Sequence, residues 1–355
     1  MSDPSPPPLS GAPGSPPHVI DLTRDALGIH GRGRERSRWP LAGLLLTLTF
    51  LTTTTLGAHW AITFRTDQLS TLAGPLGIPF LTPRLIAAVW RDPALLATGL
   101  TLSLPLLLIL LTHELGHFLQ CRRYRVAATP PFFLPVPLGF GTLGAFIRVR
   151  APIRTKRALF DIGIAGPIAG FVMLLPFLLV GVARSEPVAI PPTTFEDTPY
   201  ALMVPGHSLA LRLATTWFHG PLPEGTVLNL HPFALAAWFG LLATSLNLLP
   251  LGQLDGGHIL YAVAGRKQRQ LSQALWLGVA LMGFYWEGWW VWCGVVLLLG
   301  LRHPPVFDEA EPLDPLRRWL AVGAVLILLL SFMPIPFSEI PVPAPEGLAL
   351  PDPSP

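Results

Sequence analysis

The sequence predicts an all-α polytopic membrane protein with about six to seven transmembrane helices and a small re-entrant β-hairpin or loop. Three observations carry that expectation. The 355 residues are 51% hydrophobic and only 13% charged, with a mean hydropathy of +0.52, a balance that ordinary soluble domains do not reach. Apolar runs approaching the roughly 20 residues needed to cross a bilayer recur along the chain. Lysines and arginines concentrate in alternate segments between those runs, which is the positive-inside pattern. The formal net charge of +3 is small. The lipid bilayer is the expected partner and no nucleic acid is expected.

The elements follow in order. Residues 1–40 read as a disordered cytoplasmic arm: SDPSPPPLSGAPGSPP follows Met1, and an arginine-rich stretch runs from Arg32 to Arg38, with too little apolar content to fold alone. No cleavable signal peptide opens the chain. Leu41 to Ile62 is the first apolar run, an uncleaved anchor that with its outer loop makes a segment 41–93. Ala94 to Gln120, Ala158 to Ala183, and Phe233 to Pro250 running into Asp255 are the next three, within a membrane core spanning 94–265. Leu271 to Tyr285 and Trp289 to Leu301 are shorter, either two thin spans or a helical hairpin. Trp319 to Phe337 closes a C-terminal block of 266–337, and a Pro-rich tail, read as mostly unstructured from Pro334 on, occupies 338–355. Two cysteines, Cys121 and Cys293, are too few for a disulfide framework or a thiolate metal site and read as small buried apolar residues.

Charge sets the orientation. With the N-terminus in the cytoplasm and sides alternating, the inner segments 1–40, 122–157, 266–269 and 302–318 hold 19 of the 24 lysines and arginines. This favours seven crossings; merging 271–301 into one span would move Arg302, Arg317 and Arg318 outside. His113 lies nine residues before Arg122, hence roughly 13 Å into the membrane at about 1.5 Å per residue. Asp255 lies eleven residues before Arg266 on the same side, at a matching depth. The expected location is the inner membrane of a bacterial-type cell, with the N-terminus cytoplasmic and the site near the cytoplasmic face.

His113-Glu114-Leu115-Gly116-His117 ends the second apolar run. H-E-x-x-H on a helix puts two imidazoles on one face, one turn apart, and is a zinc-peptidase signature. Glu114, beside the first imidazole, can serve as general base toward the attacking water. Ionisable groups within hydrocarbon are costly and mark function. A catalytic zinc ion takes three protein ligands and keeps one position open. The third ligand comes from elsewhere, and the run NLLPLGQLDGGH from Asn247 to His258 offers Asp255 or His258. Its Pro250 and glycines break the helix and let a side chain turn inward. Asn247 either helps hold a substrate carbonyl or oxyanion or makes a helix–helix hydrogen bond. Phe132 to Val149, reading FFLPVPLGFGTLGAFIRV, suits a re-entrant β-hairpin or loop. Its edge, at Gly141, Thr142, Leu143 and Gly144, could pair with an unwound substrate backbone.

HELGH in a membrane helix, followed far downstream by NLLPLGQLDGG, resembles the site-2 protease family of intramembrane zinc metalloproteases. The match to that family's N-x-x-P-x-x-x-L-D-G pattern runs position by position from Asn247 through Gly256. GTLGAFIRVRAPIRTKRALFDIGIAGPIAGF is similar to the family's segment between its first two core helices, closest to the branch that includes plastid homologues. The resemblance covers residues 94–265 and implies a three-helix catalytic core at 94–120, 158–183 and 233–260. It also implies one zinc ion held by His113, His117 and Asp255, Glu114 as general base, and an endopeptidase that cuts a single-span transmembrane substrate near its cytoplasmic end. The alternative is a catalytically silent membrane chaperone or scaffold that keeps the metal site. The loop from Arg184 to Pro232, 49 residues long, is too short for the PDZ domain many relatives carry there. His207, His219 and His231 in that loop read as solvated or interfacial, and the tryptophans at 286, 289, 290 and 292 as an interfacial belt.

Overall fold

Among the described residues, three helices have both the length and the composition to cross a membrane: α1 (Trp39–Arg65), α3 (Pro93–Arg123) and α4 (Lys156–Ala183). They fall on the first three apolar runs. The computed structural model describes residues 38–65, 79–190, 201–301, 303, 306–308 and 312–341; most of the Pro/Arg-rich arm and of the Pro-rich tail lies outside them. Asp92 ends the short helix α2 (Pro83–Arg91) and begins α3: its carboxylate accepts the N–H of Ala94 at 2.8 Å, and Pro93 follows at the first helical position. Proline there costs nothing, because that N–H has no intrahelical partner anyway.

Strands β1 (Phe132–Pro135) and β2 (Thr142–Phe146) form an antiparallel hairpin, with Phe132 opposite Phe146 and Pro135 opposite Thr142. The sequence left hairpin and loop open; the structure has the hairpin. Beyond α4, strand β3 (Glu186–Ala189) pairs with β5 (Thr226–Asn229), and helix α5 (Leu209–His219) lies between them in the chain. Strand β4 (Ala201–Pro205) pairs with β6 (Phe337–Pro341). The strand β6 falls within the stretch read as mostly unstructured from Pro334 on, and the sequence did not signal it: a five-residue strand needs a partner, and β4 lies more than 130 positions away, beyond any local pattern.

The third core segment, expected at 233–260, is interrupted at the stretch where Pro250 and the glycines mark a break. It is two helices, α6 (Pro232–Leu248) and α7 (Asp255–Ala264), separated by a turn. Pro250 lacks an N–H to continue the ladder, and Gly252 takes the left-handed φ of +51°, which glycine adopts without a Cβ penalty. A single 3-10 turn (Gly265–Lys267) leads to α8 (Gln268–Met282) and α9 (Gly288–Leu299), a helical hairpin; α10 (Pro315–Ser331) follows. Helices of 15 and 12 residues reach about 22 and 18 Å, short of a roughly 30 Å hydrocarbon core.

The main core joins α3, α4, α5 and α6 through Leu102, Leu106, Leu174, Leu178, Leu211 and Trp238, all buried. In lipid, apolar burial alone does not drive helices together; close packing of small residues does. Gly116 shows the effect: a Cβ there would sit 2.5 Å from the carbonyl oxygen of Ala165 on α4. Helix α3 therefore meets α4 backbone to backbone beside its two histidines.

Candidate active site

His113 and His117 project from the inner face of α3, and both are 6% exposed. Asp255 is the first residue of α7. The structure brings the three together: His113 Nε2, His117 Nε2 and Asp255 Oδ2 lie 3.2 Å from one another pairwise. Among the described residues this is the one group of three or more candidate metal donors within reach of a single ion. The spacing fits the ion. Zinc bonds of about 2.0–2.1 Å in tetrahedral geometry separate donor atoms by about 3.3 Å. The imidazole of His117 is also pre-set, because its Nδ1 lies 2.7 Å from the carbonyl oxygen of Ile162. Nδ1–H donates there, which leaves Nε2 as the lone-pair donor. Gly166 makes the room, since a Cβ at that position would fall 2.1 Å from His117 Nε2.

The turn between α6 and α7 aims Asp255, and α8 holds the turn. Gln268 Nε2 donates to Gly252 O at 3.3 Å and to Ser272 Oγ at 2.9 Å; Ser272 Oγ donates to Pro250 O at 2.9 Å. Gln268 is 2% exposed and Ser272 is fully buried. These two escaped the sequence reading, because QRQLSQ reads as a polar stretch after Arg266 and its contact runs back sixteen positions. His258, the competing ligand, turns away: its Nδ1 lies 2.7 Å from His303 Nε2, and Tyr261 stacks on His303.

Glu114 is 5% exposed and, with His113, opens onto a cleft of about 300 Å³. Leu143, Gly144 and Ala145 of β2 form one wall, and Phe239 to Asn247 of α6 form the other. Of the four loop residues proposed from sequence, Leu143 and Gly144 therefore reach the cleft. Gly141 packs against α1 instead, and Thr142 secures the hairpin, its Oγ1 accepting the N–H of Gly144 at 3.0 Å. The outer edge of β2 has no strand partner among the described residues. Asn247 also lines the cleft.

Trp292, one of the tryptophans expected at the membrane interface, also lines this cleft. Its indole N–H has no hydrogen-bond partner among the described residues. Trp289, from the same set, is 1% exposed and donates to Pro334 O at 2.7 Å. Of the loop histidines, His207 is exposed, whereas His219 lies 2.7 Å from Val182 O and His231 caps α6 by accepting the N–H of Phe233 at 3.2 Å. None of the three approaches the cleft.

Helices long enough to cross a membrane around a buried His-His-Asp cluster, with a glutamate on the same helix, define a membrane protein built around a metallopeptidase-type site. The family profile described as Peptidase family M50 matches residues 101–284. The chain belongs to peptidase family M50. Among its relatives are proteins named "Probable zinc metalloprotease EGY2, chloroplastic" from Oryza sativa subsp. indica, 30% identical over 274 residues covering 73% of this chain and 47% of that protein, and from Arabidopsis thaliana, 31% identical over 74% of this chain and 46% of that protein. "Probable zinc metalloprotease EGY1, chloroplastic" from Arabidopsis thaliana is 30% identical over 67% of this chain and 43% of that protein. The chain spans about half the length of these curated relatives.

Proposed function

We propose that this chain is an intramembrane zinc endopeptidase that hydrolyses a peptide bond in a transmembrane segment of a membrane-protein substrate. The observation that carries the reading is the convergence of His113, His117 and Asp255 at 3.2 Å beside Glu114, at the end of a cleft walled by an open strand edge. One zinc ion fits the three donors. When bound, it supplies Lewis acidity and lowers the pKa of the attacking water to about 7.

The remaining roles belong to the chain. Glu114 takes the proton from the attacking water and returns it to the leaving amine. Asn247 offers its amide N–H to the oxygen of the scissile carbonyl as charge develops there. A substrate helix hides its carbonyls in its own hydrogen bonds, so it must unwind before cleavage. The free edge of β2 at Leu143 to Ala145 supplies replacement backbone partners, with Gly144 leaving space for close approach.

The domain plan proposed with this function is a cytoplasmic arm at 1–40, an anchor and outer loop at 41–93, the protease core at 94–265, further membrane helices at 266–337 and a tail at 338–355. Seven crossings keep 19 of 24 cationic side chains on the cytoplasmic side, with the site near that face. The membrane of residence is that of a bacterial-type cell, and the substrate is a single-span protein. Purified protein reconstituted with a model single-span substrate tests the function. Glu114→Gln should abolish cleavage, by at least about 100-fold; cleavage at the normal rate would remove Glu114 as the base and end this reading.

A further inference from the structure

Helix α1 lies outside the stretch matched by the family, residues 101–284, yet it carries the contacts that hold the β1–β2 hairpin in place. Its run Thr52 to Thr55 is fully or nearly fully buried, and three of these hydroxyls serve other elements. Thr54 Oγ1 donates to Ser103 Oγ on α3 at 2.9 Å, and Thr55 Oγ1 accepts from Trp90 Nε1 on α2 at 2.9 Å. Thr52 serves the hairpin. A hydroxyl has one proton to donate, and Thr52 Oγ1 has three carbonyls near it: Leu48 at 3.1 Å, Thr49 at 3.0 Å and Gly141 at 2.7 Å. The shortest of the three leaves the helix.

Two turns further along α1, Trp60 Nε1 donates to Gly139 O at 3.0 Å. The Trp60 ring stacks on Phe140, with centroids 5.4 Å apart and planes 10° from parallel. Phe140 in turn meets Phe239, a wall of the cleft, at 5.2 Å. Gly141 fits against α1 with no space for a side chain, since a Cβ would fall 2.5 Å from Thr53 N; its φ is +84°. Residues 139–141, the turn that sets the register of β2, are thus gripped on three consecutive positions by one helix.

An isolated two-stranded hairpin is marginal by itself, and a strand that lends its free edge to a substrate has to be braced from behind. We propose that Thr52 and Trp60 are positioning residues for substrate binding: they fix the hairpin turn so that the edge of β2 faces the cleft. The proposal rests on the reading of β2 as the substrate-pairing strand. The brace acts on binding and leaves the metal site alone, because neither side chain touches His113, His117 or Asp255.

The test uses purified, reconstituted full-length protein and a transmembrane peptide substrate. Thr52→Val keeps the shape and removes the donor; Thr52→Ser keeps the donor; Trp60→Phe keeps the ring stack and removes the N–H. Thr52→Val and Trp60→Phe should each raise KM about fivefold or more with kcat within twofold, and zinc content per chain should stay at the wild-type value. Thr52→Ser should match wild type. Hydrogen exchange at residues 142–146, read without substrate, should speed up in the first two variants only. Unchanged KM and unchanged exchange in Thr52→Val would overturn the proposal, as would loss of zinc together with activity, which marks general helix packing. Normal cleavage by Glu114→Gln in the same assay would instead count against the catalytic reading. Faster exchange in Thr52→Val with wild-type cleavage kinetics would overturn the role in binding.

Discussion

At Gly166 a single absent carbon decides whether the site can form. A methyl group there would occupy the space of His117 Nε2, at 2.1 Å, and α4 cannot retreat because its backbone already rests on Gly116. Gly166→Ala should cut zinc affinity by about 10–100-fold, the scale on which groups that orient a metal ligand act. Gly170→Ala, with a Cβ 3.1 Å from His113, should do much less. Metal titration of the two purified variants checks the order; equal affinities would show that α4 yields. The placement of His113 and His117 on one face of α3 was legible in the sequence because an i, i+4 pair on a helix is a local geometric statement. Asp255 was legible through the second motif. Gln268, Ser272 and Trp292 were not, because each owes its role to a chain segment packed against it from far along the sequence.

At the scale of elements, the long helices were readable to within a few residues, since a run of some twenty apolar residues admits little else. The break after the third apolar stretch of the core was legible too, since Pro250 and the glycines mark it, and α6 ends at Leu248 just before them. The turn it creates depends on α8, so Gln268→Ala should lower zinc retention while leaving His113 and His117 in place. A chelator competition comparing this variant with wild type measures it, and equal zinc loss from both would sink the idea. Trp292 brings α9 to the cleft, and Trp292→Ala should raise kcat/KM selectively for substrates with bulky residues beside the cut. A uniform change across substrates would remove Trp292 as a size filter. The N-terminus of α6 carries a pH dependence of its own. His231 caps it as a neutral acceptor, and burial, then Arg184 and Arg65, push its pKa from 6.5 down to about 4. The unfolded chain therefore takes up a proton first as pH falls, and stability should drop between about pH 6.5 and 4. His231→Asn keeps a capping oxygen and should flatten that part of a Tm-versus-pH curve; an unchanged curve would reassign the effect.

For the whole molecule, charge asymmetry carries the proposed orientation, and the described helices carry the packing. At the end assigned to the cytoplasm, Arg317 of α10 binds Asp161 of α4 with two hydrogen bonds, at 2.8 and 2.6 Å, a bidentate arrangement that fixes geometry as well as charge. The number of crossings turns on the α8–α9 hairpin, where the sequence allowed two thin spans or one merged span. Seven crossings place Pro312 in the cytoplasm, and six place it outside. A cysteine introduced at Pro312, in a background lacking the buried Cys121 and Cys293, should label with a membrane-impermeant reagent from the cytoplasmic side only. Labelling from the outer side would favour six.

The central claim is that one metal site is split between α3 and the turn before α7. Zinc content per chain, measured on purified wild type, Asp255→Ala and His258→Ala, tests it most directly. The account predicts one zinc ion in the wild type and in His258→Ala, and loss of zinc in Asp255→Ala. Full zinc in Asp255→Ala, with loss in His258→Ala, would contradict it.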